Sequence, residues 1–115
     1  VSKEFDKPVP GWIEVIQLKT DIYKGLSGYL DLGEATTIAL ALEHEDSLVI
    51  IDEIKGRKAA KEMGISVTGS LGVLVAAKRK GYLDAVKPII DKIQKTNFRV
   101  SNELIERILQ EAKED

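Results

Sequence analysis

The chain has 115 residues, no cysteine and a formal net charge of −2 at pH 7, and this length is typical of one domain with its own core. The absence of cysteine excludes disulfides, zinc–thiolate sites and cysteine catalysis and favours a cytoplasmic location, while the single His44 excludes a site built from several histidines. Because the chain is not a polycation, nucleic-acid binding must come from local basic patches, and no apolar run approaches the roughly 20 residues of a membrane span.

The first half of the chain predicts two strands and two helices. Trp12–Leu18 follows a proline–glycine turn and is rich in residues that favour strands. Asp21–Leu30 predicts a short helix. Asp31 is the expected N-cap of a second helix, which is apolar on most of its surface and should therefore be largely buried. Leu48–Ile51 is a short apolar run, which favours a central position in a parallel sheet.

The second half predicts one strand and four helices. Gly64 and Gly81 are placed where helices end, and Ser70 and Ser101 are placed to cap helices. The predicted elements are a helix over Lys55–Met63, a strand over Ile65–Thr68, and helices over Leu71–Lys80, from Pro88 to Lys95 and from Ser101 onward. Strands that alternate with helices indicate an α/β fold with a parallel sheet flanked by helices. With only three predicted strands, the sheet is one strand short.

Two carboxylates in this pattern suggest a metal site. Glu34 lies at the start of an apolar helix, and Asp52 directly follows the apolar strand. Ligands of an open α/β sheet bind at the carboxyl ends of its strands, where a helix N-terminus and a strand end can meet. Two carboxylates there provide the oxygen ligands that hard divalent cations prefer. The alternatives are that Glu34 only complements the helix dipole and that Asp52 only caps the next helix.

Two further residues are candidates for binding a phosphate. Arg57 lies one turn into the helix after the apolar strand, where its planar fork can hold a phosphate or form a salt bridge with Glu53 or Glu62. Ser70 opens a helix within Thr68-Gly-Ser-Leu-Gly72. A helix N-terminus with glycines is a ready anion site, and the alternative for this loop is a plain turn and cap.

Several motifs of the chain resemble those of one prokaryotic protein family. With these motifs the chain is similar to a branch of the PIN-domain (PilT N-terminus) superfamily, whose members are mostly uncharacterised and often described only as predicted to bind nucleic acids. The similarity extends over essentially the whole chain. The motifs are Leu30-Asp-Leu-Gly-Glu-Ala-Thr-Thr-Ile-Ala-Leu-Ala-Leu-Glu43, Leu48-Val-Ile-Ile-Asp-Glu53, Gly56-Arg57, Gly64-Ile-Ser-Val-Thr-Gly-Ser-Leu-Gly-Val-Leu74 and Ala77-Lys-Arg-Lys-Gly81.

The resemblance implies a nuclease. PIN nucleases are ribonucleases that depend on Mg²⁺ or Mn²⁺, and their acidic pocket lies at one edge of a parallel sheet between two layers of helices. Glu34 and Asp52 match two acids of that pocket, and Glu4 matches another. The implied activity is that of an endoribonuclease acting on RNA. Many such proteins are toxins, so an antitoxin protein is a candidate partner, and a homodimer is expected. The alternative is a non-catalytic PIN scaffold that binds a partner protein or nucleic acid.

The resemblance also predicts that the domain is incomplete. Residues 1–115 match a single PIN-like domain without its usual first strand, so the domain is truncated at its N-terminus relative to the family. That first strand ends in an aspartate that binds metal. Because metal affinity follows the number and charge of the ligands, we expect weak or no nuclease activity from this chain.

Overall fold

The structure, a computed structural model, describes residues 8–115, so the predicted ligand Glu4 lies outside the described residues. The chain forms two compact units, of which one ends at Val67 and the other comprises Thr68–Asp115. Within the described part, every helix is too short or too polar to cross a bilayer. The elements in chain order are α1 (Ile22–Leu26), α2 (Leu32–Glu43), β1 (Leu48–Ile50), α3 (Ile54–Glu62), β2 (Ser66–Thr68), α4 (Ser70–Arg79), α5 (Lys87–Gln94) and α6 (Asn102–Glu111).

The first unit is built around a small parallel sheet. β1 and β2 pair with each other, and helices flank them, which confirms the predicted α/β fold. The removal of apolar side chains from water is the main force that holds α2 and α3 against the strands. The buried residues of this core are Leu30, Ala35, Ile38, Ala41, Val49, Ile51, Ala59 and Ala60.

Local capping sets the helix boundaries of this unit. Asp31 is the N-cap of α2, as predicted, and its side chain accepts a hydrogen bond from the backbone N–H of Glu34 (2.9 Å). After α3, Gly64 has a φ of +75°, a left-handed conformation that glycine adopts without steric cost. The N-cap of α3 is Glu53, so the alternative interpretation of Asp52 as the cap of this helix is wrong.

The predicted strand over Trp12–Leu18 is wrong. This segment forms neither strand nor helix, and the Trp12 side chain is 84% exposed. Residues that favour strands form one only where neighbouring side chains and backbone groups pack against them, and no described strand pairs with this segment. Glu43 holds the chain just after it, because its carboxylate accepts hydrogen bonds from the backbone N–H groups of Lys19 (2.9 Å) and Thr20 (3.1 Å).

The predicted central position of the apolar strand stays a prediction. In the part of the chain that the structure describes, β1 pairs with β2 alone. Val49 is buried, whereas Leu48 and Ile50 are 61% and 54% exposed, and this alternation is typical of a strand with one covered face. The helix α2 buries Ala35, Ile38, Ala39 and Ala41, as predicted, and leaves Leu32 and Leu42 exposed.

The second unit packs three helices around its own apolar core. Pro88 lies in the first turn of α5, and Ser101 caps α6 by accepting a hydrogen bond from the backbone N–H of Leu104 (3.2 Å), both as predicted. The helix α4 begins one residue earlier than predicted. Gly69 takes the extended conformation of an N-cap, and Ser70 is the first helical residue, so the prediction that Ser70 caps this helix is wrong. The buried residues of this core are Leu71, Val75, Val86, Ile90, Ile108 and Ala112.

Glu114 connects the end of the chain to the start of α5. Its carboxylate accepts hydrogen bonds from the backbone N–H groups of Val86 (2.8 Å) and Lys87 (3.0 Å) and from the Lys78 ammonium (2.9 Å). The backbone N–H of Val86 is the largest cause that lowers the pKa of Glu114 to about 2, and Lys78 and Lys87 act in the same direction. A carboxylate from outside the helix therefore caps α5, whose own N-cap Val86 makes no side-chain cap hydrogen bond.

Candidate active site

Glu34 lies where β1 ends and α3 begins. Asp31 fixes the start of α2, which places Glu34 in the first turn. The Oε2 atom of Glu34 is buried and has no hydrogen-bond partner among residues 8–115. A Cβ atom added at Gly56 would lie 2.6 Å from this oxygen and 3.0 Å from Cγ2 of Ile51. Because Ile51 follows β1 directly, the Glu34 carboxylate lies at the carboxyl end of that strand, the edge where ligands of α/β sheets bind.

The surroundings of Glu34 oppose its negative charge. Burial raises the pKa of Glu34 above its ordinary value, and the carboxylates of Asp31 and Glu53 raise it further. The backbone N–H of Asp31 and the Lys55 ammonium act in the opposite direction. A carboxylate in this environment favours whatever brings positive charge to it, either a proton or a metal ion.

Asp52 lies in the loop between β1 and α3, and its side chain is exposed. It follows the buried Ile51, so its backbone starts from the same edge of the sheet as the Glu34 carboxylate. Glu53, the next residue, is the neighbour from this loop that raises the pKa of Glu34. The binding of one ion by both Glu34 and Asp52 stays a prediction.

A positioned cation lies beside this carboxylate. Lys55 is the second residue of α3, and its Nζ lies 4.4 Å from the centroid of the Tyr29 ring. Tyr29 lies in the turn before α2, where its backbone N–H donates to the carbonyl of Leu26 (3.0 Å). The quadrupole of an aromatic ring attracts a cation over its face by about 0.5–1 kcal/mol at an exposed site. The ring therefore holds the ammonium that lowers the pKa of Glu34.

Arg57 is half-buried in α3 and belongs to the same unit as Glu34. It forms no ion pair with Glu53 or Glu62 within the part of the chain that the structure describes, so the alternative salt bridge is wrong. Phosphate binding by Arg57 stays a prediction.

Ser70 belongs to the second unit, as the first residue of α4. A side chain at Gly72 would collide with the hydroxyl of Thr68, and this close packing explains the second glycine of the loop without a bound anion. The role of Ser70 in phosphate binding likewise stays a prediction.

The donor chemistry at Glu34 fits a hard divalent cation with few protein ligands. Residues 8–115 contain no group of three or more acidic or histidine side chains arranged to hold an ion. However, Mg²⁺ usually keeps several waters and is bound through one or two carboxylates together with phosphate oxygens of the substrate. The buried, unpartnered Oε2 of Glu34 can be one of those carboxylate oxygens, and Asp52 can provide the other.

Two neighbours of Glu34 were not predicted from the sequence: Lys55, and Gly56, against which its carboxylate packs. Gly56 could have been recognised, because glycine inside a helix costs roughly 0.5–1 kcal/mol relative to alanine, and its presence in a first turn indicates a close contact. Lys55 could not, since exposed charged residues are ordinary on a helix surface.

Comparisons with known proteins identify a family. A family model described as a PIN domain matches residues 3–114. No curated protein and no solved structure matches the chain. The matched range includes Glu34 and Asp52 and extends over both compact units, while the prediction that residues 1–115 form a single domain stays a prediction.

Proposed function

Because the chain belongs to the PIN-domain family, which has a nuclease-type fold, we propose that it is a divalent-metal-dependent endoribonuclease. The observation that carries the proposal is the buried Oε2 of Glu34, which has no hydrogen-bond partner among the described residues. A buried polar atom without a partner costs about 1–3 kcal/mol. A bound cation at the end of β1 would remove that cost, and this explains why an acid occupies the position.

In this proposal Glu34 and Asp52 hold Mg²⁺ or Mn²⁺, with Glu4 as a further ligand. The ion, when bound, lowers the pKa of a water and stabilises the charge that develops on the phosphate. Arg57 orients the phosphodiester by hydrogen bonds from its guanidinium. Ser70 belongs to the second unit, and phosphate binding by its hydroxyl is proposed separately. The water loses a proton and adds to phosphorus while the bond from phosphorus to the leaving ribose oxygen breaks, and that oxygen takes up a proton, so the reaction is a hydrolysis.

Glu34→Gln and Asp52→Asn test the two ligands. Each substitution keeps the size of the side chain and removes its charge. Because loss of even an outer partner of a metal site costs about 10- to 100-fold, we expect cleavage of a labelled single-stranded RNA to fall by at least that factor. The measurement is the initial rate over a titration of Mn²⁺ and of Mg²⁺. Mn²⁺ binding is measured in parallel by calorimetry.

Glu45→Gln is the matched control, because Glu45 is an exposed acid in the loop that precedes β1. This variant should cleave RNA and bind Mn²⁺ as the unmodified protein does. Unchanged cleavage by Asp52→Asn would remove Asp52 from the site. An unmodified protein that neither binds Mn²⁺ nor cleaves RNA would contradict the endoribonuclease proposal.

A second candidate is a non-catalytic PIN scaffold that binds nucleic acid or a partner protein. The observation that favours it is the absence of a three-ligand group among residues 8–115. The same Mn²⁺ titration separates the candidates, because a scaffold that binds RNA without binding Mn²⁺ supports the second one.

The wider setting of the activity is part of the proposal. We propose a cytoplasmic homodimer that acts as the toxin of a toxin–antitoxin pair, with an antitoxin protein as its partner. Family resemblance supports the dimer and the antitoxin, and the lack of cysteine supports a reducing compartment. Light scattering of the purified protein tests the dimer, and growth arrest on expression of the protein, relieved by Asp52→Asn, tests the toxin role.

A further inference from the structure

We propose that Lys55 binds an RNA phosphate beside Glu34 and that Tyr29 positions its ammonium for this contact. The inference rests on the proposed function and deepens it, because it identifies the cation that meets the RNA backbone. The Nζ of Lys55 lies 4.4 Å from the centroid of the Tyr29 ring. Lys55 also directly precedes Gly56, the residue against which the Glu34 carboxylate packs.

An RNA phosphate that approaches this edge meets several negative charges. Glu34 lies close to the carboxylates of Asp31 and Glu53, which both act on it electrostatically. Like charges at such distances repel one another, so a phosphate needs a fixed positive charge nearby. Lys55 provides that charge in the first turn of α3, a helix of nine residues, where the helix dipole adds partial positive charge.

The contact with an aromatic ring distinguishes Lys55 from other described lysines. Lys24 pairs with Asp21 (3.7 Å) and Lys78 pairs with Glu114 (2.9 Å). Lys55, like Lys92, forms no ion pair with a carboxylate in the part of the chain that the structure describes. The contact with the Tyr29 ring restrains the ammonium without using a carboxylate acceptor, so the charge of Lys55 is available for a phosphate.

Tyr29 is a positioning residue in this proposal. Its ring is 52% exposed, and its backbone is held in the turn before α2. A lysine side chain has several rotatable bonds and loses much of that freedom when it binds. The ring limits this freedom in advance, so its removal should weaken the phosphate contact even though Lys55 remains.

The test is RNA binding in EDTA, which is independent of cleavage and of metal. Fluorescence anisotropy gives the Kd of the full chain for a short labelled oligouridine at a series of KCl concentrations. We expect Lys55→Met to weaken binding roughly three- to tenfold at low salt. The slope of log K against log salt should fall in magnitude by about 0.7, the value for one phosphate contact on a single strand. Lys55→Arg should restore both values.

Tyr29→Phe keeps the ring and should bind as the unmodified protein does, whereas Tyr29→Leu should weaken binding roughly twofold to threefold. Lys92→Met is the matched control, because Lys92 is an exposed lysine of α5 and the change in net charge is the same. Circular dichroism verifies that each variant is folded, and Lys55→Arg provides the comparison if Lys55→Met fails to fold.

Several results would overturn the inference. One is that Lys55→Met binds the RNA with the same affinity and the same salt slope as Lys92→Met. Another is an unmodified protein that does not bind the RNA. Tyr29→Leu with unchanged affinity would overturn the positioning role. Failure of the proposed function looks different, since RNA binding that depends on Lys55 would then persist without metal-dependent cleavage.

Discussion

At the level of single residues, Glu34 occupies a position that opposes its own charge. Its Oε2 is buried without a hydrogen-bond partner among the described residues, and its pKa is raised by burial and by neighbouring acids. Residues held in costly environments are typical of functional sites, where they persist because the activity needs them. Glu34 should therefore be a residue whose replacement improves stability while it removes function.

Glu34→Gln should stabilise the metal-free protein at neutral pH. Because the pKa of Glu34 is raised on folding, the folded state binds the proton more tightly, and the stability falls as the pH rises through that pKa. We expect a higher Tm than that of the unmodified protein at neutral pH, and no gain well below the ordinary pKa of 4.5. Thermal melting in EDTA at both pH values measures this difference. A variant whose Tm at neutral pH is equal to or lower than that of the unmodified protein would contradict this prediction.

Gly56→Ala should weaken Mn²⁺ binding while the protein stays folded. The added methyl group would lie 2.6 Å from Oε2 of Glu34, so the carboxylate must move, and we expect the Mn²⁺ affinity to fall about tenfold. The higher helix propensity of alanine offsets part of the steric cost. In Gly33→Ala, the control, the nearest atom is Oδ1 of Asp31 at an ordinary 3.6 Å, and the affinity should not change. Equal Mn²⁺ affinities of Gly56→Ala and Gly33→Ala would show that close packing at Gly56 does not contribute to Mn²⁺ binding.

At the level of elements, α5 depends on a residue far from it in sequence. Glu114 accepts hydrogen bonds from the backbone N–H groups of Val86 and Lys87 at the N-terminus of this helix. The first N–H groups of a helix have no partner within it, and a carboxylate there also complements the helix dipole. The position of α5 in the second unit is therefore coupled to the chain beyond α6.

Glu114→Gln should lower the Tm of the protein at neutral pH by a few degrees. The hydrogen bonds lower the pKa of Glu114 to about 2, so its contribution is present above the ordinary value of 4.5 and is lost as the pH falls through about 2. The difference in Tm between the unmodified protein and the variant should shrink over that range. Glu111→Gln, at an exposed acid of α6, should show no such difference. A pH-independent difference for Glu114→Gln would contradict the prediction.

Most helices were predictable from sequence because their signals are local. Asp31 and Ser101 cap helices through hydrogen bonds to residues three positions later, and Gly64 ends α3 with a positive φ. The strand predicted over Trp12–Leu18 failed because a strand needs a partner, and pairing is not encoded in the segment itself. Glu43, which holds the chain after this segment, is more than 20 residues away from Lys19 and Thr20, beyond the reach of any local pattern.

At the level of the whole molecule, the family and the α/β class followed from the sequence, and the details of the site followed only in part. Glu34 was identifiable because its position in a helix and the order of elements place it at a sheet edge. Lys55 and Tyr29 were not identifiable, since their contact joins two turns that come together only when α3 packs near α2. The contacts that distinguish this site join residues far apart in the sequence, whereas the motifs that identify the family are continuous stretches of sequence.

The exposed position of Trp12 has a practical consequence for spectroscopy. It is the chain's one tryptophan, and its indole is already largely in contact with solvent in the native state. Loss of either apolar core would leave that indole in much the same medium, so its emission is a poor reporter of denaturation. Because its emission changes little on unfolding, a change in that emission indicates an event at the surrounding surface, such as quenching by a macromolecule that binds there.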